Sequence, residues 1–386
     1  MITMLHVLET LSDFGGTPRK LLYLAKYIDR NKCQLVFLPF KPSSLEKRFK
    51  SLEEEFNSYG SIISDVKTTS PLKLSWKIAS EAKRLRADVI CTHYTRALVA
   101  GYLASKATGI PLIHNEHSSA HYRKGMGRIF AKICLSGAEA IICNSKYTRT
   151  TIEADYPNAL RKLHVVYNPV EERSALRGRE EIRNELGITE KEVLIGHVGG
   201  MIPQRDQGTL VKALYKVHSE YPNTKLLFIG NGPVRASLEV LIQKLELQKK
   251  VIFSGYTNAV GEYLSAMDIY VNPTLDEGFG IAVVEGMLSK VPVILSDRGA
   301  HPELITDGEN GFLYRGGDPD ALAKLVKWFI EHPEKRREAG IKGYENARAR
   351  FSSSLYANNY LDLVENVLRN SKSFSRSIPE RGSQWS

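Results

Sequence analysis

The chain's 386 residues are too many for one ordinary hydrophobic core and fit two domains of middling size. Hydrophobic residues at 42% and charged ones at 25% describe a packed soluble protein, which excludes disordered, collagen-like and coiled-coil classes. Residues 1–172 hold 25 Lys and Arg against 16 Asp and Glu, and the rest 28 against 27, so nearly all of the net +10 lies in the first half. A basic half beside a neutral one is expected to face something anionic: a membrane surface, a nucleic acid or a phosphorylated substrate.

The opening MITMLHVLET has no basic n-region or small-residue cleavage site and is not expected to be a signal peptide. No apolar run nears the ~18 residues of a membrane span. From there, short β-branched runs alternate with segments of helical periodicity. The first series of strand candidates is MLHVLE, CQLVFLPF, SIISDV, DVICTH, PLIHNE, AEAIICN and LHVVY, with helical stretches such as TPRKLLYLAKYI and RALVAGYLASKATG between them. The second is VLIGHVG, KLLFIG, VIFSG, DIYVN, PVILS and GFLY. Such alternation predicts an α/β fold of two doubly wound, Rossmann-like domains with parallel sheets, and a ligand at the carboxyl ends of strands in a cleft between them. The break falls near NPVEERSALRGREEIRNELG, giving domains over 1–171 and 172–351, a closing helix over 352–370 and a flexible Ser/Arg-rich tail over 371–386. The four cysteines (Cys33, Cys91, Cys134, Cys143) form no CxxC pair and read as small buried hydrophobes of a reducing cytoplasm.

In the second half, GNGPVRASLE follows a strand and opens a helix, like the start of a dinucleotide fingerprint. The third glycine is replaced by Arg235 and no acidic residue ends a strand where a ribose would need one, so an oxidoreductase is a poor reading. More informative is EGFGIAVVE, in which Glu277 and Glu285 lie eight positions apart. Gly278 and Gly280 precede a helix expected from Ile281 to Leu288. With Glu277 in the loop ahead of that helix, the two carboxylates address opposite ends of an elongated ligand. The helix N-terminus between them offers N–H groups to an anion, and Gly280 lets a phosphate approach the backbone. Carboxylate, phosphate cradle and carboxylate suit a nucleotide sugar.

This E-x7-E, with the following PVILS, GAHPELI, DGENGFL and GDPDALA, resembles the donor domain of family 4 retaining glycosyltransferases of the GT-B fold. The resemblance extends to GGTPRKLLYLA, IPLIHNEH, IICNSKYTRTTI and VVYNPVE in the first half. It continues through HVGGMIPQRDQGTLVKA to the closing helix FSSSLYANNYLDLVENVL. It implies that the closing helix returns to the first domain. By position, it implies that Glu277 holds the donor sugar's hydroxyls and Glu285 the ribose. Backbone at Gly280, Ile281 and Ala282 would cradle the distal phosphate, Gly16 would approach the diphosphate, and His117 would face the donor sugar. It further implies transfer with retention of anomeric configuration and without an obligatory metal or other cofactor.

One position departs from the resemblance. The family writes G-R-x-x-P-x-K-G where this chain has Gly199-Gly200-Met201-Ile202-Pro203-Gln204-Arg205-Asp206. Arg205 keeps the Lys charge, but Gly200 stands in place of Arg. A fixed cation on a developing anion is worth ~3–4 kcal/mol, about 10²–10³ in rate. Arg298, in the SDRGAHPE loop, is the candidate substitute. The competing expectation is a nucleotide-sugar-binding protein that no longer transfers.

Other features have plainer readings. Asp318-Pro-Asp320 spells the D-x-D of metal-dependent transferases but is expected to cap the helix that follows. His114, His117 and His121 lack the HExxH order, and strand geometry sends His114 and His117 to opposite faces, so no metal site is expected. Two basic segments, PLKLSWKIASEAKRLRA and HYRKGMGRIFAKICLSG, leave two readings open: surface helices whose apolar side is core, or amphipathic faces on anionic lipid. No stacking motif or basic helix-turn-helix supports nucleic-acid binding. The chain is thus expected to be a cytoplasmic glycosyltransferase, peripheral at the inner membrane face. It would move a sugar from a nucleotide-sugar donor, first of all a UDP-sugar, to a glycan or lipid-linked acceptor.

Overall fold

A strand followed by a helix returns the chain to begin the next strand in the same direction, so the alternation in the sequence builds parallel sheets. The structure is a computed structural model that describes residues 1–10, 16–40, 54–63, 68, 70–117, 126–172 and 176–371. The chain divides into two compact units, one of Met1–Pro169 with the segment from Ser353 onward, the other of Val170–Ser352.

The first unit has strands β1 (Ile2–Leu8), β2 (Cys33–Pro39), β3 (Ile62–Ile63), β4 (Val89–His93), β5 (Leu112–Glu116), β6 (Ala140–Cys143) and β7 (Leu163–Val165). They form one sheet in the order β3-β2-β1-β4-β5-β6-β7, every pair parallel. Its helices are α1 (Gly16–Tyr27), α2 (Pro71–Arg84), α3 (Tyr94–Thr108), α4 (Met126–Ser136) and α5 (Lys146–Asp155). Successive residues of β1 face opposite sides of the sheet, as the two-residue period requires. Leu5 joins a core with Leu74 and Ile78 of α2, Leu98 of α3 and Leu135 of α4. Met4 joins the other core, with Leu21 and Leu24 of α1 and with Tyr360 and Val364 of the closing helix, Ser353–Asn370. The closing helix therefore completes the first unit, as the sequence implied. All four cysteines are buried, and among the described residues none forms a disulfide.

The second unit has β8 (Val193–Val198), β9 (Thr224–Ile229), β10 (Val251–Gly255), β11 (Ile269–Asn272), β12 (Val293–Ser296) and β13 (Phe312–Tyr314), ordered β10-β9-β8-β11-β12-β13. Its helices run α6 (Arg179–Glu185), α7 (Gln207–His218), α8 (Arg235–Lys244), α9 (Val260–Ala266), α10 (Ile281–Leu288), α11 (His301–Leu304), α12 (Pro319–Glu331) and α13 (Pro333–Phe351), which makes the closing helix α14. The Asp318 carboxylate accepts from Asp320 N and Ala321 N, both at 3.0 Å, with Pro319 in the first turn of α12: the D-x-D is a cap.

In each sheet the strand order reverses beside the unit's first strand, at β1/β4 and at β8/β11. The helices leave on either side of such a switch point, so the loops after these strands are where a doubly wound sheet binds ligands.

Candidate active site

In the second unit the loops after β8, β11 and β12 are joined at one carboxyl edge. Leu275 N donates to Gln204 O at 2.9 Å, which ties the turn Pro203–Arg205 to the loop ahead of α10. On that base Arg205 Nη1 reaches the Glu277 carboxylate and donates to Thr274 Oγ1 at 3.2 Å. The Thr274 hydroxyl in turn donates to Asn272 Oδ1 at 2.5 Å, so the guanidinium rests on a side chain whose own proton is already committed. Glu277 precedes α10, and Glu285 sits in the second turn of that helix and is buried. Gly280 caps α10 with φ +97°, a left-handed conformation that disfavours any side chain.

Glycines fix the spacing of these loops. A Cβ on Gly299, at φ +60°, would lie 2.5 Å from both the N and the O of Glu277, so the loop after β12 sits directly on the Glu277 backbone. Ala300 N completes that contact by donating to Glu277 O at 2.9 Å. A Cβ on Gly230 would meet Gly199 O at 2.2 Å, and one on Gly232 would meet Met201 O at 2.3 Å. The GNG turn is thus a close-packing device that supports the 199–201 segment. Gly200 itself is different: the nearest atom to a Cβ there is Asn231 O at 3.9 Å, so space for a side chain exists. Arg298, the candidate substitute cation, has Nε 3.2 Å from Asp297 Oδ1 and packs over Gly316.

His301, from the same loop, is fully buried beneath this edge. Its Nδ1 lies 3.0 Å from Ser296 Oγ and 3.1 Å from Ser296 O; a carbonyl only accepts, so Nδ1 carries the proton and Nε2 is an acceptor. Burial pulls its pKa down to about 4 and keeps the ring neutral beside Arg205 and Glu277.

The first unit presents a different set. Three imidazoles stack from the sheet outward: His6 Nδ1 is 3.1 Å from His93 Nε2, and His93 Nδ1 is 3.0 Å from His117 Nε2. Burial lowers His6 to about 3 and holds His93 and His117 well below the ordinary histidine value, with the nearby Lys20 charge acting the same way on all three. Neutral rings joined this way share one donor per link, so setting the tautomer of His6 sets that of His117. Tyr94 closes the group. Its ring lies 5.1 Å from that of His117, its hydroxyl donates to Thr17 Oγ1 at 2.6 Å, and its backbone is left-handed at φ +70°. Lys20, one turn into α1, is buried with its ammonium over the Tyr356 ring at 5.4 Å and without a hydrogen-bond partner among the described residues.

The structure therefore brings Arg205, Glu277, Gly280, Ile281, Ala282 and Glu285 into one edge of the second unit and places His117 at the edge of the first. Gly16 is exposed at the start of α1, while Gly15, His121, Arg123 and Lys124 lie outside the described residues. The His114 ring turns to Thr92, 3.0 Å away, whereas the His117 ring meets His93. Sequence reasoning missed His6, His93, Asn272, Thr274 and His301. GAHPELI does carry a local signal, since a His two residues past Gly299 in the loop after β12 is well placed to turn under the sheet edge. His6 and His93 are 87 positions apart and gave no local signal.

Two Rossmann-like units, each with polar side chains at its switch point, and a last helix that returns to the first unit define a protein of the GT-B glycosyltransferase fold. Anabaena HepE, solved in complex with UDP, superposes with a TM-score of 0.82 at 22% identity over 95% of this chain and 100% of that one. The same protein solved with UDP-glucose gives 0.81 at 21% over the same shares. Residues 14–173 match the model described as Glycosyltransferase Family 4, and residues 178–346 the model described as Glycosyl transferases group 1. Each unit thus matches a glycosyltransferase model, which supports a transferase of family 4. The chain's relatives include the N-acetyl-alpha-D-glucosaminyl L-malate synthase of Bacillus anthracis, 26% identical over 78% of this chain and 80% of the relative. Another is the alpha-monoglucosyldiacylglycerol synthase of Acholeplasma laidlawii, 23% identical over 73% and 77%. Among the described residues, no helix is long and apolar enough to cross a membrane.

Proposed function

We propose that the protein is a hexosyltransferase that moves a sugar from a UDP-sugar to a glycan or lipid-linked acceptor, with retention of anomeric configuration and without an obligatory metal. The observation that carries this reading is the Arg205–Glu277 pair set ahead of the N-terminus of α10. In the proposed complex Glu277 holds sugar hydroxyls and Glu285 the ribose. The backbone at Gly280, Ile281 and Ala282 takes the distal phosphate through the N–H groups and positive end of α10. A guanidinium carries five donors, so Arg205 can keep its Glu277 contact and still meet the oxygens of the leaving diphosphate. Gly16 approaches the diphosphate and His117, neutral, faces the sugar without adding charge to it. Arg298 supplies the second cation once it leaves Asp297. The UDP and UDP-glucose complexes of HepE support the choice of donor, and the names of the relatives support glycosyl transfer to varied acceptors. The basic first half favours an anionic acceptor at the cytoplasmic membrane face.

A second reading has its own observation: Gly200 offers space and no cation. It predicts donor binding without turnover. Release of nucleoside diphosphate from a panel of UDP-, GDP- and ADP-sugars, with and without a lipid extract, separates the two. Release from one donor, raised by the extract and reduced at least about 10²-fold in Glu277→Ala, is the expected result. Binding without release under every condition would leave only the non-catalytic reading.

A further inference from the structure

The two basic segments of the first half proved to have two faces. In α2, Leu74, Ile78 and Ala82 point into the core, while Leu72 and Trp76, one turn apart, are 72% and 66% exposed. In α4, Ala131, Cys134 and Leu135 are core, while Ile129, Phe130 and Ile133 are 62%, 51% and 50% exposed. Helix α3 lies against both. Along it runs a groove of about 700 Å³ whose walls include Leu72, Tyr94, Arg96, Val99, Leu103 and Phe130. That volume is in the range of small-molecule sites. At its inner end is Tyr94, the residue whose ring touches His117. The helices that wall it are basic: Lys73 and Lys77 on α2, Lys106 on α3 and Lys132 on α4 are exposed and have no carboxylate partner among the described residues.

Resting on the transferase reading above, we propose that this groove takes the hydrocarbon chain of an amphiphilic, anionic acceptor, with its reactive headgroup at the Tyr94–His117 end. Three observations select that occupant. The groove is concave and lined mainly by apolar side chains, which suits one chain better than the flat face of a bilayer. Glu9 lines the inner end, where it meets hydroxyls better than a phosphate, while Arg96 offers the cation for an anionic group. The exposed lysines of these helices oppose a second copy of the same surface, whose own lysines would face them.

The probes are octyl, decyl and dodecyl phosphate, each below its micelle concentration, titrated calorimetrically against the full chain with inorganic phosphate as reference. Each methylene that enters the groove should raise affinity about fourfold, with the gain ending when the groove is full. Leu103→Glu and Phe130→Glu change partly exposed positions, should leave donor hydrolysis unchanged, and should abolish the dependence on chain length. Arg96→Gln should lower the affinity for every alkyl phosphate by a similar factor. Equal affinity for all chain lengths would overturn the proposal, as would a gain that persists in both Glu variants. Binding confined to phosphatidylglycerol vesicles would replace the groove with a membrane-facing surface, and chain-length gains that track dimer formation would assign it to a second copy. None of these readings needs sugar turnover, so a failure of the donor panel is distinguishable from a failure here.

Discussion

At the carboxyl edge of the six-stranded sheet the polar groups are charged and paired; at the same edge of the seven-stranded sheet they are neutral and stacked. Arg205 and Glu277 hold each other, and Arg205 rests on Thr274, itself bonded to Asn272, so both charged groups are fixed. His6, His93 and His117 are uncharged because burial denies them a proton, and Lys20, a cation near them, has no hydrogen-bond partner among the described residues and a pKa pulled down to about 7. The same topology thus yields one edge that can grip an ionic ligand and one that can orient a neutral group without competing for that ligand's charge.

The charged edge should break first if its backbone is moved. Gly299→Ala puts a methyl group 2.5 Å from the Glu277 backbone and forces a shift of the order of an ångström. Donor turnover should fall about 10²-fold. Circular dichroism and the thermal midpoint should show the fold retained, and near-normal turnover would mean that Glu277 need not be fixed.

A gain should follow where the edge lacks a cation. Because Gly200 has open space, Gly200→Arg should raise turnover about 10-fold or more. Arg298→Ala should cut turnover far more than donor affinity in the native background, and much less in Gly200→Arg. Additive effects of the two changes would show that Arg298 does not stand in for the missing Arg.

The buried histidines of both units should respond in stability. His6 in the first unit, and His197 in β8 and His301 in the second, have native pKa values of about 3, 4 and 4, against about 6.5 in an unfolded chain. The unfolded chain therefore binds more protons as pH falls through 6.5, and stability should decline from there toward pH 4. Lys20 acts in a higher window. Its native pKa of about 7 lies below the ordinary 10.5, so its effect is a rise in stability between pH 7 and about 10. Lys20→Met should flatten that rise and stabilise the protein at pH 7 by about 1–3 kcal/mol. Denaturant midpoints across pH 5–10 test it; an unchanged slope above pH 7 would show that the ammonium is solvated.

How much of this was legible in the sequence follows from range. Each of the strand runs named from composition is a strand, because period and β-branching are local. The α10 segment was bounded at Ile281 and Leu288 because a glycine start and an apolar run mark a helix without outside help. The positions implied for Arg205 and Glu277 came from resemblance, but their pairing across 72 positions did not. The histidine stack was invisible for the same reason: it exists only once β1, β4 and β5 lie in order. The amphipathic segments show a further limit. Sequence offered core or surface for their apolar residues, and the helices use both by placing Leu74 and Ile78 on one side and Leu72 and Trp76 on another.

The closing helix has a consequence for the order in which the chain can fold during synthesis. The second unit is one uninterrupted stretch, Val170–Ser352, and is complete before α14 leaves the ribosome. The first unit, made earlier, waits for its last piece. Until Tyr360, Val364 and Leu368 arrive, the face carrying Met4, Leu21, Leu24 and Phe37 stays uncovered. A nascent chain of this protein therefore carries a sticky, unfinished N-terminal half joined to a finished neighbour, and its exposure to chaperones and to aggregation lasts until α14 has emerged.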